Sequence, residues 1–172
     1  MDVIIRPASG EELGEAVAID DDACNRFESA GLCFSIEDDH PFALAEYARW
    51  RLAADEDRMF FAWSGEGHPV GLLVLGFVNG EPHVEQLSVR EAAGRQGIGA
   101  RLLSLAIAWA GGRPLWLETY AHVAWNRPFY ERHGFVVVPE ASAPAEVRAR
   151  LAEQRRWLPA PEERVAMCKG GR

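Results

Sequence analysis

Short apolar runs separated by turn-forming residues recur along this chain and predict a series of β-strands. In the middle of the chain, Gly65-Glu66-Gly67 and Asn79-Gly80 separate three of these runs. Asn-Gly between apolar runs favours a tight hairpin, because both residues tolerate a positive φ. The pattern therefore predicts an antiparallel meander at this point. The predicted strands are Val3–Arg6, Met59–Trp63, Val70–Val78, His83–Val89, Leu115–Tyr120, Phe135–Val138 and Val165–Cys168.

Apolar residues at intervals of three and four predict helices between these strands. Ser9 followed by Glu12 matches the capping box that begins a helix. The helix after Gly94–Gly99 joins two strands, which predicts a parallel pair connected by a right-handed crossover. We therefore expect one α/β domain over residues 1–172, with a mixed, mostly antiparallel sheet and flanking helices. Beyond the helix at Ser9, the predicted helices are Pro41–Asp55, a segment from about Ile98 to Gly111, Asn126–His133 and Ala145–Trp157.

Composition narrows the classes of function. The 172 residues are 48% apolar and 26% charged, which is typical of a globular domain rather than a disordered chain. The longest apolar runs, such as Val70–Val78, are far shorter than the roughly 20 residues of a membrane span. A formal net charge of -8 makes a nucleic-acid partner a poor expectation and favours cationic ligands, amines among them.

The cysteines indicate neither a disulfide framework nor a metal site. Cys24, Cys33 and Cys168 are odd in number and lack the C-x-x-C spacing of zinc ligands. The N-terminal segment becomes polar before a signal-peptide core could form. We expect a cytoplasmic protein with no bound metal.

A glycine-rich loop at the start of a predicted helix is the clearest chemical signal in the sequence. Gly97–Ala100 follows a strand, with Arg95 and Arg101 beside it. Glycines let the backbone approach an anion, and the free N–H groups at the start of a helix point towards it. The pattern predicts a phosphate-binding loop.

Two kinds of nucleotide-binding site contain a glycine-rich loop of this type. A P-loop is excluded, because no Gly-Lys-Ser/Thr follows the glycines. A dinucleotide fingerprint fits better, since Glu118 follows at about the distance of the ribose-binding acid. Against it, Leu102 replaces the third glycine, and an antiparallel meander precedes the loop. The dinucleotide interpretation stays open as an alternative.

Two motifs together resemble the GNAT N-acetyltransferase superfamily. Gln86–Val89, followed by Arg95–Ala100 and the helix that begins at Arg101, is similar to the acetyl-CoA-binding motif of that superfamily. Asn126–Phe135 resembles its closing motif, in which a helical tyrosine precedes Gly-Phe. The resemblance extends to about Val138 and implies a sheet with a splayed parallel pair of strands.

The resemblance implies a set of cofactor contacts. A bulged strand would offer its backbone to the pantetheine arm of acetyl-CoA, and the loop would hold the pyrophosphate on its N–H groups. Gly94 stands where the family often has Arg or Gln, so Arg95 is expected to take that role. The implied cofactor-binding residues are Leu87, Ser88, Val89, Arg95, Gln96, Gly97, Ile98, Gly99, Ala100 and Asn126.

The resemblance also implies catalytic residues. An amine must lose a proton before it attacks a thioester, and the family's base often lies on the strand before the bulge. Glu85 and His83 match that place and share strand parity, so both are expected to face one cleft. Glu85 is the preferred base, since a carboxylate in an apolar strand needs a partner or a purpose. Tyr130 matches the tyrosine that protonates the leaving thiolate.

The sequence thus predicts an acetyl-CoA-dependent N-acetyltransferase acting on a primary amine of a small molecule or peptide, with the amine acceptor expected to be cationic. The cofactor motif covers about residues 83–112 and the closing motif about 115–138, with a last helix and strand at 145–168. A non-catalytic module that binds CoA or a nucleotide is the alternative from another class. The charged face of the last helix is typical of a solvated surface or an interface, so a homodimer stays open.

Overall fold

The structure is a computed structural model that describes residues 2–170. Met1, Gly171 and Arg172, which the predicted domain includes, lie outside the described residues. The strands are β1 Val3–Pro7, β2 Met59–Ser64, β3 Pro69–Val78, β4 Glu81–Val89, β5 Leu115–Tyr120, β6 Val136–Val138 and β7 Arg164–Lys169. The α-helices are α1 Leu13–Asn25, α2 Pro41–Asp55, α3 Ile98–Ala110, α4 Arg127–Arg132 and α5 Ala145–Trp157.

The strands form a seven-stranded mixed sheet in the order β1-β2-β3-β4-β5-β7-β6. β2 pairs antiparallel with β1 and β3, and β7 pairs antiparallel with β5 and β6. β4 and β5 are parallel, with His83 opposite Trp116. Asn79 and Gly80 join β3 to β4 with φ values of 53° and 72°, the left-handed pair that a type I′ turn requires. The predicted fold class, including the parallel pair, is confirmed.

The chain divides into two compact units, and the first runs up to Gly76 and includes Val84–Trp109. Its core lies where α1 and α2 cover the sheet. The buried side chains of this cluster come from both helices and from β2 and β3. They include Ile19, Trp50, Met59, Phe61 and Leu72. This unit contains the glycine loop, β4 from Val84 onward and Glu85.

The second unit contains Phe77–His83 and the chain from Ala110 onward. Its buried cluster joins the end of β3, β5 and β7 with α5, which contributes Val147. α5 therefore has an apolar face buried in this unit as well as its charged face. This unit carries His83, Asn126 and Tyr130.

The first helix differs in detail from the prediction. Ser9 N–H donates to a Glu12 carboxylate oxygen at 2.9 Å, which confirms the capping box. The turn that follows, Gly10–Glu12, is a 3₁₀ helix, and the α-helix proper begins at Leu13. Tight 3₁₀ turns are common at helix ends, so the cap was predicted correctly and the helix type of its first turn was not.

No helix of the described chain is long and apolar enough to cross a membrane. The search of residues 2–170 also finds no group of three or more His, Cys, Asp or Glu side chains that could hold a metal ion.

Leu72→Ala should cost about 2–5 kcal/mol of unfolding free energy, because Leu72 is fully buried in the first core and truncation leaves a cavity. Leu52→Ala is the matched control, since Leu52 is 53% exposed on α2 and its truncation should cost less than about 0.5 kcal/mol. Urea unfolding curves measure both. Equal losses would contradict the assignment of this core.

Candidate active site

The glycine loop has a backbone that leaves its N–H groups exposed to a ligand. After β4, a 3₁₀ turn at Glu91–Ala93 leads to Arg95 and Gly97, which have φ values of 60° and 78°. α3 begins at the next residue, Ile98. The backbone N–H groups of residues 95–100 donate no hydrogen bond to any described residue. Six consecutive donors at the start of a 13-residue helix can hold an anion such as a phosphate.

Arg26 lies near Arg95 of this loop and was not predicted from the sequence. Arg26 is in the 3₁₀ turn that follows α1. Burial lowers the pKa of Arg26 and the neighbouring charge of Arg95 lowers it further, while Glu91 acts in the opposite direction. Two guanidinium groups close together repel each other, and an anion between them would relieve that repulsion. Arg26 is far from Arg95 in the chain, so only the fold brings them together.

The strand predicted to bind pantetheine is fastened to α1 by side chains. Ser88 Oγ donates to Asp20 Oδ1 at 2.6 Å, and Gln86 Nε2 donates to the same oxygen at 2.6 Å. Gln86 Nε2 also donates to Ser88 Oγ at 2.9 Å. The Ser88 hydroxyl is therefore engaged with α1. The resemblance implies that the segment Leu87–Val89 binds a cofactor through its backbone, and that assignment stays a prediction.

Glu85 is buried and has a partner. Its side chain is 5% exposed, and Arg49 Nε on α2 donates to Glu85 Oε2 at 3.1 Å. The carboxylate lies over Gly76 on β3, where an added Cβ would come within 2.8 Å of Glu85 Cγ. The guanidinium stabilises the carboxylate form, and Gly76 makes room for it. Neither Arg49 nor Gly76 was singled out from the sequence, because the first is on α2 and the second is hidden in an apolar run.

His83 is almost fully buried in the second unit, at 1% side-chain exposure. Its Nε2 lies 2.8 Å from Glu118 Oε2, and Arg150 Nη1 lies 3.3 Å from its Nδ1. A guanidinium has only donors, so Nδ1 must supply the acceptor lone pair and Nε2–H must donate to Glu118. This contact engages the nitrogen whose lone pair a base would need.

Glu118 is ionised in a buried position, with its side chain 2% exposed. Burial acts to raise the pKa of Glu118, but His83 and the positive charges of Arg150 and Arg164 outweigh burial and hold the pKa below its ordinary value. The dinucleotide interpretation needs this carboxylate to reach a ribose. Its burial against His83 argues against that interpretation.

Tyr130 and Asn126 lie at the start of the closing motif, in the second unit. Tyr130 is 8% exposed on α4, with its ring against Phe129 and Phe135 at centroid distances of 5.1 and 5.9 Å. Burial raises the pKa of Tyr130 to about 12, against the opposing charge of Arg164, so the hydroxyl carries its proton at neutral pH. Asn126 precedes α4, and its carbonyl accepts from Phe129 N–H at 3.0 Å.

The sequence matches a known protein-family model. The model of the acetyltransferase (GNAT) family matches residues 23–135. That range includes the glycine loop and both predicted motifs.

Three solved structures resemble this fold. An acetyltransferase of the GNAT family from Staphylococcus aureus Mu50 has a TM-score of 0.70 at 15% identity, covering 98% of each chain. The PaiA N-acetyltransferase from Thermoplasma acidophilum, in complex with coenzyme A, has a TM-score of 0.68 at 16% identity, covering 98% of this chain and 99% of that one.

N-acetylglutamate synthase from Neisseria gonorrhoeae, complexed with coenzyme A and N-acetyl-glutamate, has a TM-score of 0.68 at 17% identity. The match covers 98% of this chain but only 35% of the synthase, so this chain spans about a third of that protein. At these identities the three structures show a common fold. Since the family model matches more than half of the sequence, the chain belongs to the acetyltransferase (GNAT) family.

Proposed function

We propose that this protein transfers an acetyl group from acetyl-CoA to a primary amine of a small molecule or peptide, by direct attack in a ternary complex. The observation that carries the proposal is the row of six unpaired N–H groups at residues 95–100, in a member of an acetyltransferase family. Two structures of similar fold, from Thermoplasma acidophilum and Neisseria gonorrhoeae, are complexes with coenzyme A, which supports CoA as the donor.

Acetyl-CoA is a polyanion, whereas this protein carries a net charge of -8. Its phosphates must therefore be held by local positive groups. The N–H row supplies partial charges, and Arg95 with Arg26 supplies full ones. The backbone of Leu87–Val89 would then hold the pantetheine arm, which places the thioester along β4.

The proposed chemistry uses Glu85 and Tyr130. The amine attacks the acetyl carbonyl, and the C–N bond forms as the carbonyl electrons move to oxygen. Glu85 accepts a proton from the nitrogen of the tetrahedral intermediate. The C–S bond then breaks, and the Tyr130 hydroxyl protonates the leaving thiolate. Glu85 afterwards releases its proton to solvent and Tyr130 recovers one. His83, the other predicted base, is a weaker candidate because Arg150 occupies its lone pair.

Release of free CoA tests the function directly. Purified protein is mixed with acetyl-CoA and one of three amines: 2-phenylethylamine, spermidine or tetraglycine. We expect thiol release above the amine-free rate with at least one of them. Thermal protection by acetyl-CoA without turnover would instead favour the non-catalytic CoA-binding module, and no protection would overturn both.

Gly97→Ala should weaken acetyl-CoA binding about tenfold, since a left-handed φ costs an L-residue about 1–2 kcal/mol and its relief would distort the loop. Gly65→Ala is the control, because an added Cβ there meets open space at an ordinary φ. Isothermal titration with acetyl-CoA measures both Kd values. An unchanged Kd for Gly97→Ala would remove this loop from the binding site.

Glu85→Gln should lower kcat about 100-fold or more, because the amide keeps the shape and an acceptor oxygen for Arg49 but cannot take a proton. The KM for acetyl-CoA should not change. Arg49→Gln is a useful companion, since it leaves the carboxylate present without its partner. Steady-state kinetics separate kcat from KM, and a Glu85→Gln variant of normal kcat would exclude Glu85 as the proton acceptor.

Tyr130→Phe should lower kcat by about 100- to 10,000-fold while the melting temperature and the KM for acetyl-CoA stay close to wild type. Tyr120→Phe is the matched control: it removes a buried hydroxyl that donates to the Pro159 carbonyl at 2.8 Å and should keep its kcat. If both variants turn over at the wild-type rate, Tyr130 is a packing residue rather than the acid.

A further inference from the structure

The proposed acetyl transfer requires the acceptor nitrogen to lose two protons, and this inference rests on that proposed function. A primary alkylamine is protonated near neutral pH, so it arrives as an ammonium ion with three protons on nitrogen. The amide product keeps one. One proton is balanced by the proton that the CoA thiol gains, and the other leaves the protein in each cycle. Glu85 and Tyr130 account for the exchange during the attack and the collapse of the intermediate.

The first deprotonation calls for a group that can take a proton from the ammonium ion and pass it on to water. Glu85 is poorly suited to do both tasks, because its side chain is 5% exposed and is enclosed by Arg49 and Gly76. A second carboxylate beside β4, with one oxygen open to solvent, would serve better.

Asp20 has this geometry. Both hydrogen bonds that it receives, from Gln86 and Ser88, end on the single oxygen Oδ1. Its Oδ2 receives no hydrogen bond from the described part of the chain, and the residue is partly exposed. Gln86 and Ser88 flank Leu87, the first residue of the segment proposed to bind pantetheine. Asp20 is therefore tied to the strand that would carry the thioester.

The two hydrogen bonds that Asp20 accepts do not require a charged side chain. An asparagine could accept both hydrogen bonds through its carbonyl oxygen without the cost of enclosing a charge. Burial raises the pKa of Asp20 to about 6, and the hydrogen bond from Ser88 opposes this rise. The charge of Asp21 raises the pKa further, whereas the hydrogen bond from Gln86 lowers it. A carboxylic acid that titrates near the working pH is well matched to accept and release a proton.

The ionisable groups around Asp20 are mostly acidic. On α1 these are Asp21 and Cys24, and burial raises the pKa of the Cys24 thiol well above its ordinary value, with Asp20, Asp21 and Glu46 on α2 adding to the effect. Asp38, in the segment before α2, acts on Asp21. Arg90, which follows β4, is paired with Glu15 and Asp22. The surroundings therefore keep a proton available to Asp20 and attract an ammonium ion.

We propose that Asp20 is a second catalytic carboxylate, which takes the first proton from the incoming ammonium group through Oδ2. The nitrogen–hydrogen bond breaks with its electron pair left on nitrogen, and the proton forms an O–H bond on Asp20. The neutral amine then attacks the acetyl carbonyl, and Asp20 returns its proton to solvent. Each cycle so releases one proton, as the overall reaction requires.

The test is the pH dependence of kcat/KM for 2-phenylethylamine and spermidine with Asp20→Asn, between pH 6 and 9. Without the carboxylate, only the small neutral fraction of the amine can react, and that fraction grows tenfold for each pH unit below the amine pKa. The kcat/KM of Asp20→Asn for the amine should therefore lie at least tenfold below the wild-type value at pH 7. It should then rise tenfold for each pH unit. The wild-type profile should level off above about pH 7, once Asp20 is ionised.

Asp21→Asn is the matched control, because it removes one negative charge from the same turn of α1 and should keep the wild-type plateau. The KM for acetyl-CoA should be unchanged in both variants, since Asn at position 20 preserves the hydrogen bonds to β4. Parallel pH profiles for wild type and Asp20→Asn overturn the proton-accepting role. A loss confined to acetyl-CoA binding overturns it too, in favour of a positioning role.

A stability measurement checks the ionisation of Asp20 without any activity. A folded-state pKa of about 6, above the ordinary 3.8, stabilises the fold at low pH, and that stability is lost as the pH rises through about 6. Asp20→Asn should therefore melt higher than wild type at pH 8, and the difference should shrink as the pH falls from about 6 and disappear below 3.8. Equal melting temperatures at pH 8 overturn the inference. If the wild type turns over none of the amines, the proposed function itself is wrong, and that result is distinct from a failure of the Asp20 proposal.

Discussion

The proposed cofactor site depends on one constraint. The six backbone N–H groups of residues 95–100 have no acceptor in the described part of the chain. They are left open because Arg95 and Gly97 take left-handed φ values just before α3 begins. Burying such donors without an acceptor would cost free energy. Exposed at the start of a helix, they carry a partial positive charge that can bind an anion. In a protein of net charge -8, this loop is a place where an anion meets a favourable local field. In the proposed function, the phosphates of acetyl-CoA bind first to this backbone.

Three acidic side chains show how one fold places carboxylates in different environments. Glu118 is buried against His83, and His83 with the charges of Arg150 and Arg164 holds its pKa low, which keeps it ionised and makes it part of the structure of the second unit. Glu85 is paired with the partly exposed guanidinium of Arg49 and lies over Gly76. Asp20 accepts hydrogen bonds from two neutral donors, both on one oxygen. A carboxylate beside a cation is held ionised, whereas one enclosed among neutral donors has a raised pKa.

Local patterns were enough to predict much of the fold. The bounds of Pro41–Asp55, Leu115–Tyr120 and Ala145–Trp157 agree with the structure. For Pro41–Asp55 the signal is local, because a proline at the first helical position has a φ that suits the start of a helix. The segment from Cys24 to Pro41 had no clear period, and the structure has a short 3₁₀ turn there followed by irregular chain. β4 begins at Glu81, two residues before the predicted start at His83, and continues through Pro82.

The partners of the candidate site could not have been predicted in the same way. Arg26 meets Arg95, Arg49 meets Glu85 and Asp20 meets Ser88 only through tertiary contacts across long stretches of chain. A motif identifies the strand and loop that bind a cofactor, whereas the groups that tune a proton transfer come from whichever helix packs on that strand. In this protein, α1 and α2 supply those groups. The irregular segment that joins the two helices carries Asp38, whose charge acts on Asp21 beside Asp20. Changes in that segment can therefore alter the field at Asp20 without altering the glycine loop, which gives a physical reason why acceptor preference can vary while the cofactor stays the same.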